Sequence, residues 1–103
     1  MESPEIKRFK EKTGIEILWI YILSLLKKKP CHSYILRKKI EKEFGFLPGN
    51  VSVYVVMYKL ESRGFVESKR DENKIVYSVT KKGIKLLKEA EKILKEKTKK
   101  IFK

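Results

Sequence analysis

The sequence predicts a mainly α-helical chain with one small β-hairpin, and three observations predict it. Apolar residues recur at spacings of three and four over four successive stretches, the spacing of one helix face. Two short β-prone runs, Phe65 to Arg70 and Lys74 to Val79, flank the turn-forming Asp71-Glu72-Asn73. The length of 103 residues fits one domain with one modest core.

Met1 to Lys12 is charged and opens on Ser3-Pro4, so residues 1–12 are expected to fray or to supply a loose first turn. From Thr13 to about Lys28, Ile15, Leu18, Trp19, Ile22, Leu25 and Leu26 mark a helix. Ile17, Ile20, Tyr21 and Leu23 widen its apolar stripe almost all the way round. Such a helix needs cover on more than one side, and a partner subunit is the economical cover for so small a chain.

Pro30 ends that helix, and His32 or Ser33 begins the next, which runs to Phe44 with Tyr34, Ile35, Leu36 and Ile40 as its apolar residues and Gly45 as its stop. Phe46-Leu47-Pro48-Gly49 reads as a turn, with Asn50 or Ser52 capping a third helix that runs to about Arg63. Its inward stripe is Val53, Val56, Met57 and Leu60, and Gly64 closes it. After the hairpin, Thr80 caps a last helix from Lys81 to about Ile101, in which Leu87, Leu94 and Ile101 fall seven apart. That spacing suits a seam between helices, and its last two turns lie beyond the reach of the chain's own core.

Helix, helix, helix, hairpin, long helix is the order of a winged helix-turn-helix with an extra long C-terminal dimerisation helix. The chain divides into a charged N-terminal segment, 1–12, a winged helix-turn-helix domain, 13–80, and a dimerisation helix, 81–103. The expected subunit interface is Ile17, Trp19, Ile20, Tyr21, Leu87, Leu94 and Ile101.

Lys and Arg total 26 against 13 Asp and Glu, a net charge of +13, and such an excess seeks polyanions. The outward side of the third helix offers Asn50, Val51, Ser52, Tyr54, Val55, Tyr58 and Lys59. Asn50 and Ser52 are suited to hydrogen bonds with bases or phosphates, and Val51 and Val55 to thymine methyl groups. No Arg is there to read guanine, so an AT-leaning duplex site is expected. Lys69, Arg70 and Lys74 flank the hairpin turn, where a wing meets phosphate, while Asp71 and Glu72 at the tip repel it.

Cys31 is the one cysteine, which excludes an internal disulfide and a Cys-rich zinc site and suits a reducing, cytoplasmic setting. One His and no clustered carboxylates leave no acid and base pair, so no enzyme and no cofactor are expected. The longest apolar run, Ile17 to Leu26, is far short of the roughly 20 residues that span a bilayer, so no membrane is expected.

Three segments resemble the PadR family of transcriptional regulators. Pro30-Cys31-His32-Ser33-Tyr34-Ile35-Leu36 is similar to that family's Pro-x-His-Gly-Tyr-x-Leu, with Ser33 in place of Gly. Ser52-Val53-Tyr54 through Leu60-Glu61-Ser62-Arg63-Gly64-Phe65-Val66 resembles its recognition helix, with Val55 where Pro is usual. Tyr77-Ser78-Val79-Thr80-Lys81-Lys82-Gly83 resembles the family's exit from the wing. The resemblance implies a repressor bound to double-stranded DNA as a homodimer. For some members it also implies a small aromatic effector between the subunits, here beside Trp19 and Tyr21.

Overall fold

The computed structural model describes residues 1–103. The elements are α1 (Pro4–Glu11), a π-helical turn (Lys12–Glu16), α2 (Leu18–Lys28), β1 (Cys31–His32), α3 (Ser33–Phe44), α4 (Asn50–Ser62), β2 (Val66–Asp71), β3 (Lys74–Val79) and α5 (Lys81–Ile101).

The N-terminal segment is more ordered than its composition suggests. Ser3 accepts the backbone N–H of Ile6 at 3.1 Å and Pro4 occupies the first helical position, both start signals, so α1 makes two turns. None of its residues is buried. The expected continuous helix from Thr13 is broken at Ile17 (φ −113°, ψ 25°) by the π turn, which leaves the Thr13 carbonyl free to accept the Tyr21 hydroxyl at 2.8 Å. Gly14 is buried there, and a Cβ on it would meet the Phe46 ring at 3.3 Å.

α2 is the central helix. It buries Leu18, Ile22, Leu23, Leu25 and Leu26, and α3, α4, β3 and α5 all pack against it. The chain's own elements therefore cover most of α2 and leave Ile17, Trp19 and Ile20 half-buried. Leu36 and Ile40 from α3, Val53, Met57 and Leu60 from α4, with Cys31 and Val66, complete the core. Removing one such Leu or Ile side chain costs about 2–5 kcal/mol.

Pro30 stops α2, and β1 follows, a strand too short for alternation to reveal; it makes the hairpin a three-stranded antiparallel sheet, ordered β1-β3-β2. α3 ends on Gly45 in the left-handed region (φ +81°). The Arg37 Nε donates to the Pro48 carbonyl at 2.6 Å, tying α3 to the turn that launches α4. The cap of α4 is Gly49, with extended backbone and no side-chain hydrogen bond, so Asn50 and Ser52 lie in the first turn instead of capping it.

Thr80 caps α5 by accepting the Gly83 N–H at 3.1 Å and donates to the Gly64 carbonyl at 2.7 Å. α5 then packs on α2 and β3 as far as Ala90, after which none of its residues is buried. At 1.5 Å per residue the helix is about 31 Å long. No helix is long and apolar enough to cross a membrane.

Candidate nucleic-acid interface

α4 turns Val53, Met57 and Leu60 into the core, with Val56 half-buried. Its other side presents Asn50, Val51, Tyr54, Val55, Tyr58 and Lys59 to solvent, with Ser52 half-buried. The sequence-predicted face is thus brought together on one helix. Its flanks differ. Tyr54, 73% exposed, is on the flank toward the sheet, near Tyr77, whose hydroxyl is pushed above the usual tyrosine range chiefly by burial and then by the Glu61 carboxylate. Lys59 is on the opposite flank, where it lines a groove with Ile15, Trp19 and Arg63.

The hairpin is fastened to α4 by the Ser68 hydroxyl, which donates to the Glu61 carboxylate. Its turn places Glu72 in the left-handed region at φ +58°, unusual for Glu. Lys69, Arg70 and Lys74 are all exposed, but they do not form one cluster. Directly paired residues of an antiparallel sheet share a face, and successive residues alternate. Ser68 pairs with Tyr77 and Tyr77 with Cys31, and Cys31 is buried, so that row faces the core. Lys69, Val76 and His32 form the next row and face outward, with Lys74 on their side and Arg70 on the other.

Two groups that sequence reasoning left aside join this outer face. The rings of His32 and Tyr34 stack with centroids 5.8 Å apart and planes 9° apart, and the Lys74 Nζ stands 5.5 Å from the Tyr34 ring centroid. The missed signal was β1, whose pairing with β3 carries His32 to the wing.

The predicted interface residues fall into two groups. Tyr21 is engaged within the chain, its ring 4.6 Å from Phe44 and 5.1 Å from Phe46 and its hydroxyl bonded to Thr13. Ile17, Trp19, Ile20 and Leu87 are half-buried, while Leu94 and Ile101 are exposed at 43% and 70%. Trp19 forms a wall of two adjoining apolar grooves, one of about 580 Å³ toward α4 and Phe65, and one of about 370 Å³ with Ile20, Ala90, Ile93 and Leu94.

A helical pair with an exposed second helix, a hairpin wing beside it and a large positive charge define a winged-helix DNA-binding protein. The sequence model of the PadR-like family of transcriptional regulators matches residues 22–89, and the chain belongs to that family, which regulates transcription and is not enzymatic. A solved transcriptional regulator from Thermoplasma acidophilum is 30% identical, with 87% of this chain and 91% of that one covered and a TM-score of 0.71. A PadR family transcriptional regulator from Eggerthella lenta is 23% identical over 93% of this chain and 84% of its own, with a TM-score of 0.79. F93 from STIV, a winged-helix DNA-binding protein, is 21% identical over 77% and 88%, with a TM-score of 0.71. No curated protein sequence matches the chain.

Proposed function

We propose that this chain is a sequence-specific, cytoplasmic repressor that binds a two-fold operator as a homodimer. The observation that carries the reading is the division of its exposed surface. Aromatic and polar residues, with Val51 and Val55 among them, stand exposed on α4 and the wing, whereas Ile93, Leu94 and Ile101 stand exposed on the outer half of α5, beside the half-buried Trp19 and Ile20 of α2. The first surface suits DNA and the second a copy of the chain.

α4 enters the major groove by its first turns, where Asn50 and Ser52 reach base edges and Val55 meets thymine methyl groups. Tyr54, Tyr58 and Lys59 meet the backbone on either side, and Lys69, Arg70 and Lys74 hold the wing to the flanking phosphates. Trp19, Ile20, Leu87, Leu94 and Ile101 face the second subunit, with Ile17 at the edge. The two recognition helices then stand about 34 Å apart, on successive major grooves. Tyr21 takes no part, being spent on Phe44 and Phe46. Repression rests on the family likeness and acts by occupancy of the promoter. A planar aromatic effector beside Trp19 would change the separation of the subunits, and a ligand screen read by Trp19 fluorescence tests it.

The test is binding to genomic duplexes, including the region upstream of the chain's own gene, across a salt series with random DNA as competitor. A fragment held at least roughly a hundredfold tighter than competitor, with a steep salt slope, supports the reading. The exposed side of α4 carries no Arg, which favours one second reading, a sequence-tolerant architectural DNA binder. Equal, salt-sensitive binding to every fragment would select it. A winged-helix platform for protein partners predicts negligible salt-sensitive binding instead.

A further inference from the structure

We infer that the stacked His32–Tyr34 pair and Lys74 above it form a phosphate-contacting patch for the same DNA duplex, distinct from α4 and the tip of the wing. The inference rests on the DNA-binding reading and extends its contact surface to the start of α3. Tyr34 lies in the first turn of α3 and is 63% exposed, yet its ring is not loose. His32 stacks on it with nearly parallel planes, and the Lys74 ammonium is held over it at 5.5 Å. An exposed aromatic fixed by two neighbours has lost rotamer freedom before any ligand arrives, so binding through it costs little further entropy.

The partner follows from chemistry and place. Lys74 directly follows the wing turn and pairs with Asp71, so its hold on Tyr34 brings the start of α3 beside the part of the wing that approaches DNA. Lys69 shares the row of His32 across Val76, so the outer face offers two ammonium groups, an imidazole and a phenol hydroxyl. None of these four makes an ion pair, and no side-chain hydrogen bond engages them. Glu67 and Asp71 share this face but form no ion pair with the four groups, and donors of this kind suit a row of phosphate oxygens and read no base. Arg37 and Lys38 follow Tyr34 by three and four residues on α3, and Glu67, Asp71 and Glu72 are the acidic groups that set the patch's limit.

The test compares Tyr34→Phe, Tyr34→Ala and Lys74→Gln with the wild-type chain, on operator and on random duplex, at several salt concentrations. Asn50→Ala serves as the reference for base reading. Tyr34 is exposed, so both variants fold, and circular dichroism with thermal melting verifies it. Loss of the hydroxyl in Tyr34→Phe is expected to weaken both duplexes by the same factor, roughly tenfold or more, as removal of one hydrogen bond to a charged acceptor does. Lys74→Gln lowers the salt slope by about 0.9. Ethylation of one flanking phosphate weakens wild-type binding and leaves Tyr34→Phe binding unaffected. Unchanged affinity of Tyr34→Phe and Tyr34→Ala on both duplexes, while Asn50→Ala loses operator preference, overturns the patch and leaves the regulator reading intact. A loss confined to operator overturns it as well, because it assigns Tyr34 to base reading. A wild-type chain with no salt-sensitive affinity for either duplex removes both.

Discussion

At the scale of single residues, the positions that hold the fold are those where backbone meets backbone. Gly83 is the clearest case. A Cβ there would stand 2.1 Å from the Phe65 carbonyl oxygen and 2.7 Å from the Val79 Cγ2, and neither can swing aside. The same turn carries the cap, since Thr80 binds Gly83 N–H and the Gly64 carbonyl together. Gly83→Ala is expected to lose about 3 kcal/mol or more, as overpacking at an unyielding site does, and a urea melt of the variant checks it. Thr80→Ala, which removes the cap but adds no bulk, is expected to lose about 1–2 kcal/mol by the same measurement. Cys31 makes a different case. Its thiol is buried, and desolvation pushes it above the ordinary cysteine range despite the opposing charges of Lys39 and Lys29. A protonated, covered thiol is a poor nucleophile. Alkylation of Cys31 by iodoacetamide at pH 7.5, a condition of roughly neutral pH at which even a free thiol is mostly protonated, is expected to run far slower than in the urea-unfolded chain. A rate near that of the unfolded chain would show the site to be open.

At the scale of elements, what the sequence discloses and what it conceals divide by the range of the interaction. The helices of residues 33–44, 50–62 and 81–101 are legible because each has a period-three-and-four stripe and a local stop, such as Gly45. β1 is not legible, since two residues have no period and become a strand only by pairing with Val76 and Tyr77, more than forty residues away. The π turn is concealed for the same reason, as its Tyr21 hydroxyl bond and the Phe46 ring over Gly14 are tertiary facts. The candidate site follows that rule. The outer face of α4 is readable from helical spacing, but the separation of Lys69 and Lys74 from Arg70 needs the register, and the His32–Tyr34–Lys74 stack needs the third strand. The wing also holds a contradiction between conformation and charge. Glu72 takes a left-handed backbone that Asn adopts at less cost, and it sets a negative charge at the tip of the wing proposed to meet phosphate. Glu72→Asn is expected to keep or raise the melting temperature and to tighten binding to operator and random DNA alike, most at low salt. Weaker binding would mean that Glu72 makes a contact of its own.

At the scale of the molecule, the same charge that draws DNA would oppose the proposed union of two subunits. Each chain carries +13, so a pair held along α2 and α5 brings two strongly positive bodies together, and only the apolar contact favours it. That contact is available: beyond Ala90, α5 turns Ile93, Leu94 and Ile101 to solvent with no element of the chain to cover them. Added salt screens the repulsion between subunits, since the Debye length shrinks from about 10 Å at 0.1 M to about 3 Å at 1 M, and it leaves apolar burial largely intact. It also restores counterions to DNA and weakens that complex. Self-association and DNA binding are therefore expected to respond to salt in opposite directions, the first strengthening and the second declining. Sedimentation of the free protein at micromolar concentration, from low to high salt, is expected to move toward twice the 12.2 kDa of one chain. Leu94→Glu is the sharper probe, because Leu94 is exposed in the single chain and its replacement leaves the core untouched. The variant is expected to sediment as a single chain at every salt concentration and to retain the helical signal of the wild-type chain. It is also expected to lose operator affinity by much more than its affinity for a half-site, since the effective concentration that a linked second subunit supplies is gone. A Leu94→Glu protein that still sediments as a pair would place the interface elsewhere than on the outer half of α5.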